Sequence, residues 1–102
     1  MYFIGVDLGT SAVKLLLMQE DGQVLRVVSR EYPLYFPHSG WSEQNPDDWF
    51  NQTMKGIGQL LEGFDKENVA GISFGGQMHG LVILDDQDRV IRPAILWNDG
   101  RT

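Results

Sequence analysis

The chain has 102 residues, of which 14 are acidic and 8 basic, giving a formal charge of −6, and it contains no cysteine. That balance argues against a nucleic-acid surface, which needs a Lys/Arg patch, and the missing thiols exclude disulfides, thiolate zinc sites and a cysteine nucleophile. Apolar residues at 42% suit one small globular domain, no apolar run approaches ~18 residues, and Met1-Tyr2-Phe3-Ile4 lacks the basic start of a secretory signal, so a cytoplasmic protein with no membrane contact is expected.

Tyr2 to Val6 is a short apolar run and reads as a buried central strand. Asp7-Leu8-Gly9-Thr10-Ser11 breaks it with turn chemistry. Val13 to Met18 is the second strand, with Lys14 its one charged member, and Asp21-Gly22 marks a hairpin into a third strand, Val24 to Tyr32. Arg26, Val28 and Arg30 share one face of that strand, read as partly exposed. Residues 33–46 form an irregular stretch with three prolines, of a length that is usually functional or well packed.

A helix is predicted from Pro46. Asn45 can cap it, Pro46 suits the first helical position, and Asp47 and Asp48 suit the positive end of the dipole. Phe50, Met54, Ile57, Leu61 and Phe64 recur at steps of 4, 3, 4 and 3 and predict the buried face. Gly56 and Gly58 are poor helix formers, which points to close packing against a sheet, and Gly63 is a stop signal. Val69 to Phe74 is the next strand, and strand–helix–strand order implies a parallel partner with a right-handed crossover. Gly75 to Gly80 reads as a polar loop, and Leu81 to Leu84 with Arg89 to Ile91 as a hairpin around a solvated turn at Asp85, Asp86 and Asp88. The expected architecture is α/β with a mixed sheet.

Three segments carry groups suited to chemistry. In Asp7-Leu8-Gly9-Thr10-Ser11, an acid ending a buried strand is costly unless paired, and a hydrated Mg²⁺ would pair it. Gly9 allows a tight turn with N–H groups aimed at an anion, Thr10 and Ser11 add hydroxyls, and Lys14 lies within reach of a phosphate. The same pentapeptide also suits a plain β-turn, and no Walker motif is present. In Gly75-Gly76-Gln77-Met78-His79-Gly80, Gln77 and His79 can bond hydroxyls while Met78 lines an apolar wall, although a glycine-rich connection explains the spacing as well. In Trp97-Asn98-Asp99-Gly100-Arg101, the indole can cover a sugar face and the polar groups can bond hydroxyls; the alternative is a loop with a surface Asp–Arg pair. Trp41 and Trp49 read as packing residues.

In this order the motifs resemble the start of the FGGY carbohydrate kinases. Ile4-Gly5-Val6-Asp7-Leu8-Gly9-Thr10-Ser11 is similar to the family's first phosphate motif, Gly40-Trp41-Ser42-Glu43-Gln44-Asn45-Pro46 to the segment leading into its first helix, and Gly76-Gln77-Met78-His79-Gly80 to its sugar loop, with Ile95 to Arg101 completing the pattern. The resemblance covers nearly all of the chain. It implies a ribonuclease H-like (actin/hexokinase-type) mixed sheet with a flanking helix, residues 1–102 forming an incomplete N-terminal domain whose ATP-binding partner domain lies beyond Thr102. It implies ATP-dependent phosphorylation of a sugar, with D-xylulose the first expectation and ribulose, gluconate or another polyol the alternatives; a non-catalytic actin-like binding module is the rival of a different class. By resemblance Asp7 would help hold Mg²⁺ and the transferring phosphoryl group. Gly9, Thr10, Ser11 and Lys14 would face ATP phosphates. Gln77, Met78 and His79, supported by Trp97, Asn98, Asp99 and Arg101, would face the sugar. The general base is expected beyond Thr102, the fragment alone is expected to be inactive, and a homodimer is compatible with the family.

Overall fold

The computed structural model describes residues 1–101. Three antiparallel strands, β1 (Tyr2–Leu8), β2 (Ala12–Gln19) and β3 (Val24–Glu31), open the chain as the expected meander. The helix α1 (Pro46–Leu60) and a 3₁₀ turn at Lys66–Asn68 lead back to β5 (Val69–Gly76), which pairs parallel with β1. The main sheet therefore has the order β3-β2-β1-β5. A second, two-stranded sheet joins β4 (Glu43–Gln44) to β6 (Ala94–Ile95). Its first strand lies inside the stretch expected to be irregular. The hairpin expected over residues 81–91 is reduced to isolated bridges, Leu84 with Val90 and Leu81 with Ile95, and β5 runs through Gly75 and Gly76 before the polar loop begins.

Strand alternation decides what lies inside. Ile4 and Val6 of β1 with Val13, Leu15 and Leu17 of β2 point to one face and form the core together with Tyr32 and Leu60. The helix covers that face. The other face leaves Phe3, Leu16 and Val27 exposed, while Ile72 and Phe74 of β5, in register with Ile4 and Val6, are exposed on the helix-bearing face.

Helix α1 begins as the sequence dictates: Asn45 is extended, its side chain accepts from the Asp47 N–H, and Pro46 follows. Its buried face differs from expectation. Phe50 is 67% exposed and Met54 51%, while Thr53, Gly56 and Leu60 are buried and Trp49, Ile57 and Leu61 pack at the rim. Gly56 sets the rotation. A Cβ there would lie 2.5 Å from Leu15 Cδ1, so the helix rests directly on β2, whereas nothing lies within 4 Å of a Cβ at Gly58. Close packing accounts for the first glycine and not the second.

The arginine face of β3 also turns inward. Arg26 Nη1 donates to the carbonyls of Gln59 (3.1 Å), Leu60 (3.2 Å) and Glu62 (2.6 Å), and its guanidinium lies 4.9 Å from the Phe64 ring centre. The last turn of α1 has no basic residue of its own, so this strand arginine satisfies its carbonyls and its dipole. Arg30 bonds Gln52 and Gln59 on the same helix.

Candidate functional site

At their carboxyl ends β1 and β5 run side by side, with Asp7 opposite Gly75 and Leu8 opposite Gly76. The turn after β1 and the loop after β5 therefore leave the sheet from the same edge. Loops at the carboxyl ends of adjacent parallel strands are where α/β sheets place ligands. Here Asp7, Gly9, Thr10, Gly76, Gln77, Met78, His79 and Trp97 line one open cleft of about 420 Å³. All three chemistry-bearing segments of the sequence contribute to it.

Asp7 is not a buried acid. Alternation puts it on the face opposite Ile4 and Val6; it is exposed and makes no ion pair among the described residues. The expectation that its strand position demands a partner is corrected: the carboxylate is solvent-exposed and lines the cleft. Lys14 stands opposite Asp7 across the β1–β2 ladder, and both also line a neighbouring hollow of about 480 Å³ on the bare sheet face. Lys14 itself does not line the cleft.

The turn after β1 is tightly fastened. Gly9 N–H donates to Ala12 O at 2.9 Å, and a Cβ at Gly9 would lie 2.9 Å from that same oxygen, so only glycine fits. That amide is thus unavailable to an anion, contrary to expectation. The amides of Thr10 and Ser11 carry no backbone hydrogen bond among the described residues. The Gly9 carbonyl accepts from the Tyr32 hydroxyl and, at 3.4 Å, from Gln77 Nε2. Burial, with a smaller contribution from the charge of Asp7, pushes the Tyr32 phenol up to about 12, which keeps it a donor. Ser11 is exposed and does not line the cleft; its carbonyl accepts from the Tyr32 N–H at 3.2 Å.

The loop after β5 starts where Gln77 N–H donates to Leu8 O at 2.8 Å. A Cβ at Gly76 would meet Leu8 O at 3.0 Å, so this glycine lets the loop cross close to the end of β1. Met78 is 70% exposed and His79 takes a positive φ of 62°. A non-glycine residue in the left-handed region is strained, and such strain concentrates where a side chain must be aimed. His38 and His79 belong to separate segments, and no group of three metal-ligating side chains occurs among the described residues.

The third segment divides. Trp97 lines the cleft, and its indole Nε1 donates to Thr10 Oγ1 at 3.1 Å. Asn98 is exposed and does not line the cleft. Asp99 and Arg101 are not a surface pair. Arg101 holds both Asp99 oxygens, Nε to Oδ1 at 2.8 Å and Nη2 to Oδ2 at 2.6 Å, and reaches Glu43 Oε2 at 2.8 Å. Its guanidinium stacks 3.8 Å from the Trp41 ring centre. Asp99 Oδ2 also accepts from the Ser42 N–H at 2.6 Å, and Arg92 donates to Glu43 from the other side. The Arg101 hydrogen bond holds the Asp99 carboxyl well below the usual carboxylate range, and Asp99 in turn raises the guanidinium. With the side chain of Asp99 2% exposed and that of Arg101 12%, the network fastens the Trp97 loop to residues 41–43.

Two residues of this site escape sequence reasoning. Tyr32 holds the turn after β1 through the Gly9 carbonyl, and Gln44, fully buried in β4, bonds both Thr10 and Gln77. Gln44 gives no local signal, because its partners lie 34 and 33 positions away.

Residues 2–102 match the model of the N-terminal domain of the FGGY family of carbohydrate kinases. The chain is 50% identical to the xylulose kinase of Bacillus subtilis over 103 residues, covering 99% of this chain and 21% of that one, and 33% identical to the gluconokinase of the same organism over 101 residues, covering 99% and 20%. Among solved structures, the xylulose kinase from Rhodospirillum rubrum superposes with a TM-score of 0.93 at 32% identity, covering 99% of this chain and 21% of that one. The chain spans about a fifth of the length of the curated relatives it matches. The mixed sheet with its flanking helix is therefore the opening part of the actin- and hexokinase-like fold, and the chain belongs to the FGGY family of carbohydrate kinases.

Proposed function

We propose that this chain is the N-terminal part of an ATP-dependent kinase that phosphorylates D-xylulose at O5, with the ATP-binding domain and the general base supplied by residues beyond Thr102. One observation carries the reading: the turn after Asp7 and the Gln77-Met78-His79 loop face a single cleft. Phosphoryl transfer requires a charge-neutralising site and a hydroxyl-bearing acceptor held in line at short range. The xylulose kinases to which the chain is similar support the choice of sugar.

Asp7 fits a Mg²⁺ site of the open kind. Mg²⁺ keeps several waters and takes one or two carboxylates plus phosphate oxygens, so a lone solvent-exposed carboxylate beside free turn amides suits it better than a closed cage of protein ligands. When bound, the ion would neutralise charge developing on the transferred phosphoryl group. Thr10 would donate to a phosphate oxygen through its hydroxyl or its amide, Ser11 through its amide, and Lys14 would supply positive charge from the adjoining strand. Met78 and His79 would hold the sugar, His79 through a hydroxyl and Met78 as an apolar wall, with Trp97 closing the side. Asp99 and Arg101 would act on the sugar indirectly, through the placement of Trp97. A soluble cytoplasmic enzyme, and a homodimer, accord with this reading; no helix among the described residues is long and apolar enough to cross a membrane.

The test is coupled ADP release over D-xylulose, D-ribulose, gluconate and glycerol, with the full-length protein and with residues 1–102 alone. The reading expects D-xylulose to give the highest kcat/KM with the full-length protein and no turnover with the short chain. Preference for another acceptor would reassign the substrate, and turnover by residues 1–102 would overturn the division of labour between the domains.

A further inference from the structure

We propose that Gln44 is a positioning residue. Its buried carboxamide ties the turn after β1 to the loop after β5, so that the phosphate-facing and sugar-facing walls of the cleft keep one separation. This rests on the kinase reading for its role in turnover, though not for its geometry.

Gln44 is fully buried, and its side-chain hydrogen bonds among the described residues go to the two walls and the helix. Its Nε2 donates to the Thr10 carbonyl, and its Oε1 accepts from Trp49 Nε1 at 3.0 Å and from Gln77 Nε2 at 3.1 Å. The orientation of the amide follows from these partners. An indole N–H can only donate, so the Gln44 atom facing Trp49 must be the oxygen. The nitrogen then faces Thr10, where a carbonyl can only accept. The oxygen, already fixed, obliges Gln77 to present its nitrogen. Trp49 thus sets Gln44, and Gln44 sets both Thr10 and Gln77.

The base of this device is rigid. Gln44 pairs with Ala94 in the small sheet, and the next two residues cap and begin α1. Glu43 beside it is held by Arg92 and Arg101. A carboxamide on such a support resists displacement in any direction. The remaining polar atom of the pair, Gln77 Oε1, is buried with no partner, so without Gln44 the Gln77 side chain would keep only its long bond from Nε2 to the Gly9 carbonyl, at 3.4 Å. In a reaction in which a displacement of about 1 Å costs on the order of 10²-fold, a fixed separation between donor and acceptor walls has direct kinetic value.

The experiment measures hydrogen exchange at the Gly9 and Gln77 amides, which close the turn and the loop respectively, in full-length protein carrying Gln44→Met, Gln44→Glu or Ile57→Ala. Gln44→Met keeps the volume and removes all three bonds. It is expected to speed exchange at both amides together by about tenfold or more, with Leu15 and Leu17 unchanged, and to raise KM for both sugar and MgATP. Gln44→Glu, read at a pH high enough to ionise the new carboxyl, keeps an acceptor for Trp49 and Gln77 and loses only the donor to Thr10, so it is expected to speed Gly9 and spare Gln77. This second variant decides the matter if the first fails to fold. Ile57→Ala loosens the helix away from the cleft and is expected to lower stability while leaving both KM values and both amides as in the wild type. Faster exchange at only one amide in Gln44→Met, equal effects of Gln44→Glu on both, or the same pattern from Ile57→Ala would overturn the proposal. Absence of sugar-dependent turnover in the wild type would instead sink the kinase reading, with the exchange data still deciding whether Gln44 couples the two segments.

Discussion

The indole of Trp97 donates to the hydroxyl of Thr10 at 3.1 Å across 87 positions of sequence. This bond joins the last chemistry-bearing segment to the first. The Thr10 hydroxyl keeps its own proton free to donate, since accepting from Trp97 uses only a lone pair. Trp97→Phe keeps the apolar wall and frees the hydroxyl. It is expected to raise KM for MgATP by about threefold to tenfold, the worth of one hydrogen bond of about 0.5–1.5 kcal/mol, with a smaller change in KM for the sugar. Steady-state kinetics of the full-length protein read the two constants separately.

The Met-His loop makes the opposite prediction. His79→Ala removes the group that the kinase reading assigns to a sugar hydroxyl, and a site built for a hydroxyl loses much when that bond is lost. KM for D-xylulose is expected to rise by about tenfold or more while KM for MgATP stays within about threefold. Equal rises in both constants would place His79 outside the sugar wall.

The paired helix glycines give a stability test independent of function. Gly56→Ala forces a methyl to within 2.5 Å of the buried Leu15 side chain, an overpacking cost of about 1–3 kcal/mol that outweighs the gain of about 1 kcal/mol in helix propensity. Net destabilisation of up to about 2 kcal/mol is expected. Gly58→Ala meets nothing within 4 Å and is expected to stabilise by up to about 1 kcal/mol. Urea denaturation measures both.

Tyr32 predicts an alkaline limit. Its phenol is raised from 10.0 to about 12. Below pH 10 it is protonated in both folded and unfolded chains and contributes no slope. Between 10 and about 12 the unfolded chain releases the proton and the folded chain retains it, so stability falls with rising pH, by roughly 2–3 kcal/mol in all. Tyr32→Phe is expected to lose this part of the slope, seen as a smaller drop in denaturation midpoint between pH 9 and pH 11 than in the wild type.

What the sequence makes legible here is what local chemistry determines. Asn45 and Pro46 start the helix where they stand, and alternation in β1 and β2 selects Ile4, Val6, Val13, Leu15 and Leu17 for the core. The same alternation places Asp7 on the open face, which the shape of the apolar run alone obscures. The helix face is misread because its rotation is set by Gly56 against Leu15 and by Arg26 and Arg30 reaching over from β3. These are decisions of tertiary contact that periodicity does not carry. The small sheet of β4 and β6, and with it Gln44 and the Glu43–Arg101–Asp99 network, joins segments about fifty residues apart. Its polar residues show no period, so only the folded chain reveals that they frame the cleft.

The most direct test of the shared cleft is the rate of ADP release from MgATP and D-xylulose by the full-length protein and its Asp7→Asn variant, with sugar binding followed in parallel by calorimetry. If the Asp7 carboxylate faces the transferring phosphoryl group, the wild-type rate depends on sugar, and Asp7→Asn lowers kcat on the order of 10²-fold or more while D-xylulose still binds. An Asp7→Asn variant that turns over at the wild-type rate, or a wild type whose ADP release ignores the sugar, would contradict the account.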